Sequence, residues 1–91
     1  MSIDKFLNPD FTPDESTKAE VENLHKEGQS LAGINLKFAD KSQAELVNAD
    51  LSNADLTRAY FSGASMYGVN LEGSNLFKTN FEGANLKSVK L

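Results

Sequence analysis

Few side chains in this chain could carry out catalysis. His25 is the only histidine and there is no cysteine, so neither a hydrolytic triad nor a thiolate nucleophile can be assembled. A transition-metal site would have to rest on carboxylates, and these do not cluster at ligand spacing. No glycine-rich phosphate loop stands between a strand and a helix. We therefore expect no catalytic residue, no cofactor and no metal, and an enzyme is the least favoured class of function.

The carboxylates of Asp50 and Asp55 belong to a repeating pattern rather than to a reactive site. Each stands just before a leucine, and a large residue recurs at every fifth position of the chain. These central residues are Leu36, Lys41, Leu46, Leu51, Leu56, Phe61, Met66, Leu71, Leu76, Phe81, Leu86 and Leu91. Two residues before each of them stands a small or β-branched residue. The period of five is therefore the main structural signal in the sequence.

A five-residue period fits neither the 3.6-residue period of a helix nor the two-residue period of a strand. The chain must therefore turn once in every repeat. Gly63, Gly68 and Gly73 each lie two residues after a central position. Glycine adopts positive φ readily, as the third residue of a type II turn requires. The pattern predicts a solenoid of short extended segments joined by tight turns.

The repeats Ala49-Asp50-Leu51, Ala54-Asp55-Leu56 and Ala84-Asn85-Leu86 resemble the pentapeptide-repeat family, whose motif is Ala-(Asp/Asn)-Leu-X-X. The resemblance implies an all-β solenoid over residues 31–91. It would be a right-handed quadrilateral β-helix with four pentads per coil and the small and central residues inside. Twelve pentads then make about three coils, and the solenoid would be about 14 Å tall.

Residues 1–30 are expected to form a capping segment with a helix over about 13–27. Thr12 would be the N-cap and Glu15 would complete a capping box. Gly28 is the natural end of the helix. Because an end coil of a solenoid exposes apolar interior, this helix is expected to lie across the first coil.

Lys41 interrupts the row of apolar central residues, and it does so in the first coil. A charge buried without a partner costs several kcal/mol. We therefore expect the ammonium group to reach the capping segment and pair with an acid or with the last carbonyl groups of the helix.

Outward-facing side chains are the candidates for partner contacts. Residues twenty apart should lie above one another, so Val47, Tyr67 and Lys87 form one outer column, and Phe77 stands in another, with Lys37 and Thr57. Tyr60 is expected near the first column. Aromatic residues are enriched at protein interfaces, although single exposed aromatics are also ordinary.

The C-terminal end of the solenoid is expected to lack a cover. Phe81, Leu86 and Leu91 would then expose interior and backbone edge, which natural proteins seldom leave bare. Because the N-terminal helix blocks head-to-tail stacking, the predicted cover is a second copy related by twofold symmetry. The sequence therefore predicts a homodimer through the C-terminal coils; the alternatives are that the chain is part of a longer protein or that Lys87 and Lys90 keep a monomer soluble.

The charge of −4 lies in the capping segment, since residues 1–30 hold seven acids and three bases and residues 31–91 hold six of each. A neutral body favours a protein-interaction or assembly scaffold. The alternative, a DNA mimic that binds a type II topoisomerase such as gyrase, would need a longer and more acidic rod. Direct nucleic-acid binding is not expected without a basic stripe. No apolar run suits a signal peptide or a membrane span, so a cytoplasmic protein without membrane association is expected.

Overall fold

The computed structural model describes residues 2–91 and contains two helical elements near the N-terminus. A 3₁₀-helix spans Asp4–Leu7, and an α-helix, α1, spans Thr17–Lys26. From residue 35 onward the regular structure consists of parallel β-bridges. Within residues 2–91 no strand extends beyond a single bridge residue. The extended segment of each pentad is therefore as short as the five-residue period requires.

The bridges join residues twenty positions apart. Asn35 pairs with Asp55, and Asp55 pairs with Asn75. Four two-residue turns separate the bridges of each circuit, so the chain follows a square path of four pentads. We call residues 34–51 the N-terminal coil, 54–71 the middle coil and 74–91 the C-terminal coil. A corner is named after its two turn residues in the middle coil, for example the 57–58 corner.

The interior is filled by the two inward positions of each pentad. Central leucines alternate with alanines, and those of the N-terminal and middle coils are buried. The same cluster includes Phe6, Val21 and Leu24 from the N-terminal segment. The solenoid and the segment before it therefore share one continuous core.

Each corner places one residue in the left-handed conformation. In the first turn of the N-terminal coil, Ala39 donates its amide to the Leu36 carbonyl at 3.0 Å, and Phe38 between them has φ of 63°. Glycine occupies this slot at Gly68, where an added Cβ would lie 2.2 Å from the Asn48 side-chain oxygen. For a residue other than glycine or asparagine, this conformation costs about 1–2 kcal/mol.

Helix α1 begins at Thr17, later than the expected start near residue 13. The Asp14 carboxylate accepts hydrogen bonds from the amide and hydroxyl of Ser16, and the Asp14 amide donates to the Thr17 hydroxyl. These hydrogen bonds hold residues 14–17 in a turn before the helix. The N-cap of α1 is therefore Ser16, and the expected N-cap at Thr12 with a capping box to Glu15 is wrong. The helix ends before Gly28, which has φ of 81° and donates its amide to the His25 carbonyl.

Both helical elements are attached to the N-terminal coil by polar contacts. From α1, Lys18 Nζ donates to the Ser42 carbonyl at 2.6 Å, and His25 Nε2 lies 2.8 Å from the Val47 carbonyl oxygen. Beside the 3₁₀-helix, the Asn35 amide donates to the Phe6 carbonyl at 2.7 Å. The Asn35 side chain donates to carbonyls of the following loop. These hydrogen bonds attach the N-terminal segment to the N-terminal coil.

Candidate functional site

The C-terminal coil exposes the same central positions that are buried elsewhere. Leu91 is 83% exposed and Leu86 is 38% exposed. Phe81 is partly buried, and its ring stacks on Phe61 with centroids 5.6 Å apart and planes inclined by 14°. This end of the solenoid therefore presents an apolar surface made of interior-type residues, which we call the C-terminal face: Leu76, Phe81, Leu86 and Leu91.

The C-terminal face also carries backbone groups without partners. In the middle coil the Leu56 amide donates to the Asn75 carbonyl, and the Phe61 amide donates to the Asn80 carbonyl. Within residues 2–91 the corresponding amides of Phe81 and Leu86 donate no hydrogen bond. The face thus combines apolar side chains with a row of free donors, which is the chemistry of an unpaired sheet edge.

The outer residues proposed as partner contacts are all exposed, and the structure divides them between two surfaces. Val47, Tyr67 and Lys87 lie at the 67–68 corner, twenty residues apart, as expected. Phe77 lies at the 57–58 corner. Tyr60 lies on the bridge segment that follows this corner and not near Tyr67, where the sequence predicts it. That placement is wrong, because a whole pentad separates the Tyr60 segment from the 67–68 corner.

Lys41 is the one central residue that departs from the apolar pattern, and its environment differs from the expected one. Its side chain is 0% exposed, and within the described part of the chain Nζ has no hydrogen-bond partner. The expected pairing with an acid or with helix carbonyls is therefore wrong. Burial lowers the pKa of the Lys41 amine to about 7, against the attraction of Glu22. The Lys41 side chain therefore packs in the interior, where its amine is less basic than that of an exposed lysine.

The recurring aspartates act on the backbone rather than on a ligand. The Asp50 carboxylate accepts hydrogen bonds from the amide and hydroxyl of Ser52, and these bonds lower its pKa. Asp55 accepts the equivalent pair from Thr57. Such contacts shape the turn after each bridge. The carboxylates are thus already committed to the structure of the solenoid.

An open groove of about 540 Å³ lies between the start of α1 and the N-terminal coil. Asp14, Glu15, Asp40, Lys18 and Ser42 are among its lining residues. The Ser42 hydroxyl has no histidine beside it, since His25 contacts the Val47 carbonyl instead. Among residues 2–91 no three potential ligands come together as a metal site. In the same range no helix has the length and apolar character needed to cross a membrane.

One surface was missed by the sequence reasoning. At the 57–58 corner the left-handed slot holds Phe38, Arg58 and Lys78 in the three coils, with φ of 63°, 57° and 55°. Every other corner has glycine or asparagine in this slot at least once. The sequence contains this signal. The turn position that holds glycine or asparagine at the other corners holds neither at residues 38, 58 and 78, so this corner adopts positive φ against the preference of its residues.

The repeat register and the buried rows agree with the comparison with known proteins. The sequence pattern described as pentapeptide repeats matches residues 30–66 and 54–91, in 8 copies. The chain belongs to the pentapeptide-repeat family. Proteins of this family form right-handed quadrilateral β-helices, which confirms the β-helical solenoid expected from the sequence. No curated protein matches the chain.

Solved structures of other pentapeptide-repeat proteins resemble this one. The structure of such a protein from the cyanobacterium Cyanothece 51142 has a TM-score of 0.64 and 32% sequence identity, covering 68% of this chain and 43% of that chain. A second, from Nostoc PCC 7120, has a TM-score of 0.44 and 27% identity, covering 85% and 74% respectively. A third, from the Arabidopsis thaliana thylakoid lumen, has a TM-score of 0.24 and 26% identity, covering 68% and 61%. This chain thus spans less than half the length of the Cyanothece protein.

Proposed function

We propose that this pentapeptide-repeat protein is a non-enzymatic scaffold that assembles through its C-terminal face. One observation carries the proposal: the inward-facing residues are buried at the N-terminal end of the solenoid and at least partly exposed at its C-terminal end. Leu36 and Leu46 at the N-terminal end are buried, whereas Leu86 and Leu91 at the other end are exposed beside unpaired amides. An apolar surface with free backbone donors is stabilised by a partner that offers both apolar contact and carbonyl acceptors.

The proposed occupant of the C-terminal face is a second copy of the chain. An identical face would offer matching leucines and an identical backbone edge, and a twofold axis closes the assembly at two copies. Open-ended stacking is disfavoured because the N-terminal coil is already in contact with α1 through Lys18 and His25. Phe81, Leu86 and Leu91 are the proposed dimer contacts.

The N-terminal segment, residues 1–30, is proposed to act as the cap of a solenoid of about three coils that begins at residue 31. Two observations support this division. The Leu31 amide donates to the Asp50 carbonyl at 3.0 Å, which begins the inter-coil hydrogen bonding. Val21 and Leu24 of α1 are buried in the same cluster as Leu36. Apolar cover of this kind is what an end coil requires.

Sedimentation equilibrium at micromolar concentration tests the assembly. We expect a dimer, and we expect Phe81→Lys to shift it toward monomer by at least about tenfold in dissociation constant, because an unpaired ammonium would be buried in the interface. Phe77→Lys is the matched control: it introduces the same charge at the outer 57–58 corner and should leave the dimer intact. A wild-type protein that stays monomeric over the whole concentration range would refute this proposal.

A further inference from the structure

The 57–58 corner forms a continuous surface of bases and aromatic rings. Its turn residues in the three coils, which we call the aromatic-basic corner, are Lys37, Phe38, Thr57, Arg58, Phe77 and Lys78. Phe38 is 65% exposed and Phe77 is 57% exposed. The body of the solenoid has equal numbers of acids and bases, yet three of its six bases stand at this corner and no acid does. The corner is therefore distinct in charge from the rest of the molecule.

Two of the three cations at this corner lie around an aromatic ring, whereas Lys37 Nζ donates to the Pro9 carbonyl at 3.3 Å. The Arg58 guanidinium carbon lies 5.9 Å from the centroid of Phe77, and Lys78 Nζ lies 5.4 Å from it. Both distances are within the range of a cation–π contact. Within residues 2–91 neither Arg58 nor Lys78 forms a salt bridge. Two like charges are thus held near one ring with no carboxylate paired to either.

Two flanking carboxylates, those of Asp55 and Asp40, accept hydrogen bonds from turn residues, whereas Phe38 also lines the groove that holds Asp14 and Glu15. Asp55, on the face before the corner, accepts hydrogen bonds from the amide and hydroxyl of Thr57. Asp40, on the face after it, accepts from the Ser42 amide, a bond that lowers the Asp40 pKa. An external anion would therefore meet cations that have no ion-pair partner in the protein.

Backbone conformation gives an independent reason to assign a role to this corner. Phe38, Arg58 and Lys78 all adopt positive φ, where glycine would be free of strain. Large side chains retained in an unfavourable conformation are typical of sites where the side chain itself is needed. At the 62–63 corner, by contrast, only Gln43 is strained, and glycine follows at Gly63 and Gly83.

We propose that the aromatic-basic corner binds an acidic segment of a partner protein in which carboxylates alternate with apolar side chains. Arg58 and Lys78 would pair with the carboxylates, and Phe38 and Phe77 would contact the apolar groups. The inference rests on the proposed scaffold function and names the chemistry of a partner at a surface separate from the C-terminal face.

A protein segment fits this surface better than a nucleic acid does. Duplex DNA carries about one charge per 1.7 Å of its axis, and binding it depends on many cations along a track. The corner offers three cations on a chain whose net charge is −4. A few carboxylates match that number, and exposed Phe rings suit apolar side chains as well as they suit bases.

Fluorescence anisotropy of a short labelled peptide of alternating glutamate and leucine tests the proposal on the full chain. We expect saturable binding that weakens as salt rises from about 0.01 M to about 0.15 M, because exposed charge pairs are screened. The double variant Arg58→Gly/Lys78→Gly should weaken binding by at least about tenfold. The same variant should melt at a temperature higher by about 4 °C or more, because its strain is relieved.

Gln43→Gly is the matched control, since it relieves the same strain at another corner. Its melting temperature should rise while peptide binding stays unchanged. Arg58→Gln/Lys78→Gln removes the charges without adding glycine and should weaken binding as much as the glycine pair does. The proposal would be overturned by absence of saturable peptide binding, by full binding in both double variants, or by tighter binding of oligothymidylate than of the peptide. Sedimentation of the double variants separates the two proposals, because loss of peptide binding should leave the C-terminal dimer intact.

Discussion

The two ends of the solenoid are built from equivalent pentads and have opposite properties. Leu46, Met66 and Leu86 occupy the same slot in successive coils; the first two are buried, and Leu86 is 38% exposed. Nothing within the Leu86 pentad explains this difference, because its Ala84-Asn85-Leu86 sequence is a regular repeat. Burial in a solenoid is decided by what lies on the next level. Equivalent pentads can thus be buried at one level of the stack and exposed at another.

The largest expected effect comes from placing one charge at two levels of the stack. Leu56→Asp buries a carboxylate in the middle coil, where Leu56 is fully buried, and should abolish the cooperative thermal transition seen by circular dichroism. Leu86→Asp places the same charge on the C-terminal face and should keep the fold. A Leu56→Asp protein that melts at the wild-type temperature would contradict the assignment of the interior.

A smaller effect is expected from loosening the cover of the N-terminal end. Phe6 is fully buried, and its ring packs edge-on against Phe11 with centroids 4.9 Å apart. Its backbone carbonyl accepts a hydrogen bond from the backbone amide of Asn35. Phe6→Ala should lower the free energy of unfolding by about 3–5 kcal/mol. Its neighbour Leu7 is exposed, so Leu7→Ala should cost less than about 1 kcal/mol in the same urea denaturation. Equal losses would show that this segment does not cover the core.

Periodicity predicted the solenoid because the constraint is repeated in every pentad. The inward rows and the turn positions follow from residue types such as Leu51, Ala54 and Gly63. The register of twenty does not, because four pentads per coil is what the resemblance to the pentapeptide-repeat family implies. Features that occur once were harder to predict. The start of α1 depends on the hydrogen bonds that Asp14 forms with Ser16 and Thr17. The burial of Lys41 depends on how closely α1 packs against the N-terminal coil, and the sequence of the solenoid does not determine that distance.

The candidate surfaces were predicted unevenly for a related reason. Exposure of Tyr67 and Phe77 follows from their position in the pentad, one residue after the inward central residue. The grouping of Arg58 and Lys78 around Phe77 required the side-chain positions at the corner. Counting by twenty assigns each residue to a corner or to a side of the square. Tyr60 belongs to the side after the 57–58 corner, so a full pentad separates it from the side that precedes Tyr67.

Lys41 allows the smallest and most specific test, because it is a central residue at the covered end. Lys41→Met keeps the length of the side chain and removes the amine. It should raise the free energy of unfolding by about 1–4 kcal/mol at about pH 6, where the wild-type protein must bury a charged group. Glu20, Glu22 and Asp40 attract the ammonium and Lys18 repels it, yet burial is the dominant influence on its pKa.

The pH dependence of this difference has a definite sign. The pKa of Lys41 is about 7 in the folded protein and near the ordinary 10.5 in the unfolded chain. Below about pH 7 both states hold the proton and the cost of burial is fully present. Between about pH 7 and about pH 10 the unfolded state binds more protons, so wild-type stability rises with pH relative to Lys41→Met. The advantage of the variant should therefore shrink across this range in urea denaturation series. Lys87→Met, at an exposed lysine, is the control and should show no such trend. If the wild-type and Lys41→Met curves stay parallel from about pH 6 to about pH 10, the amine remains charged in the fold, and a counter-ion must reach it at the covered end.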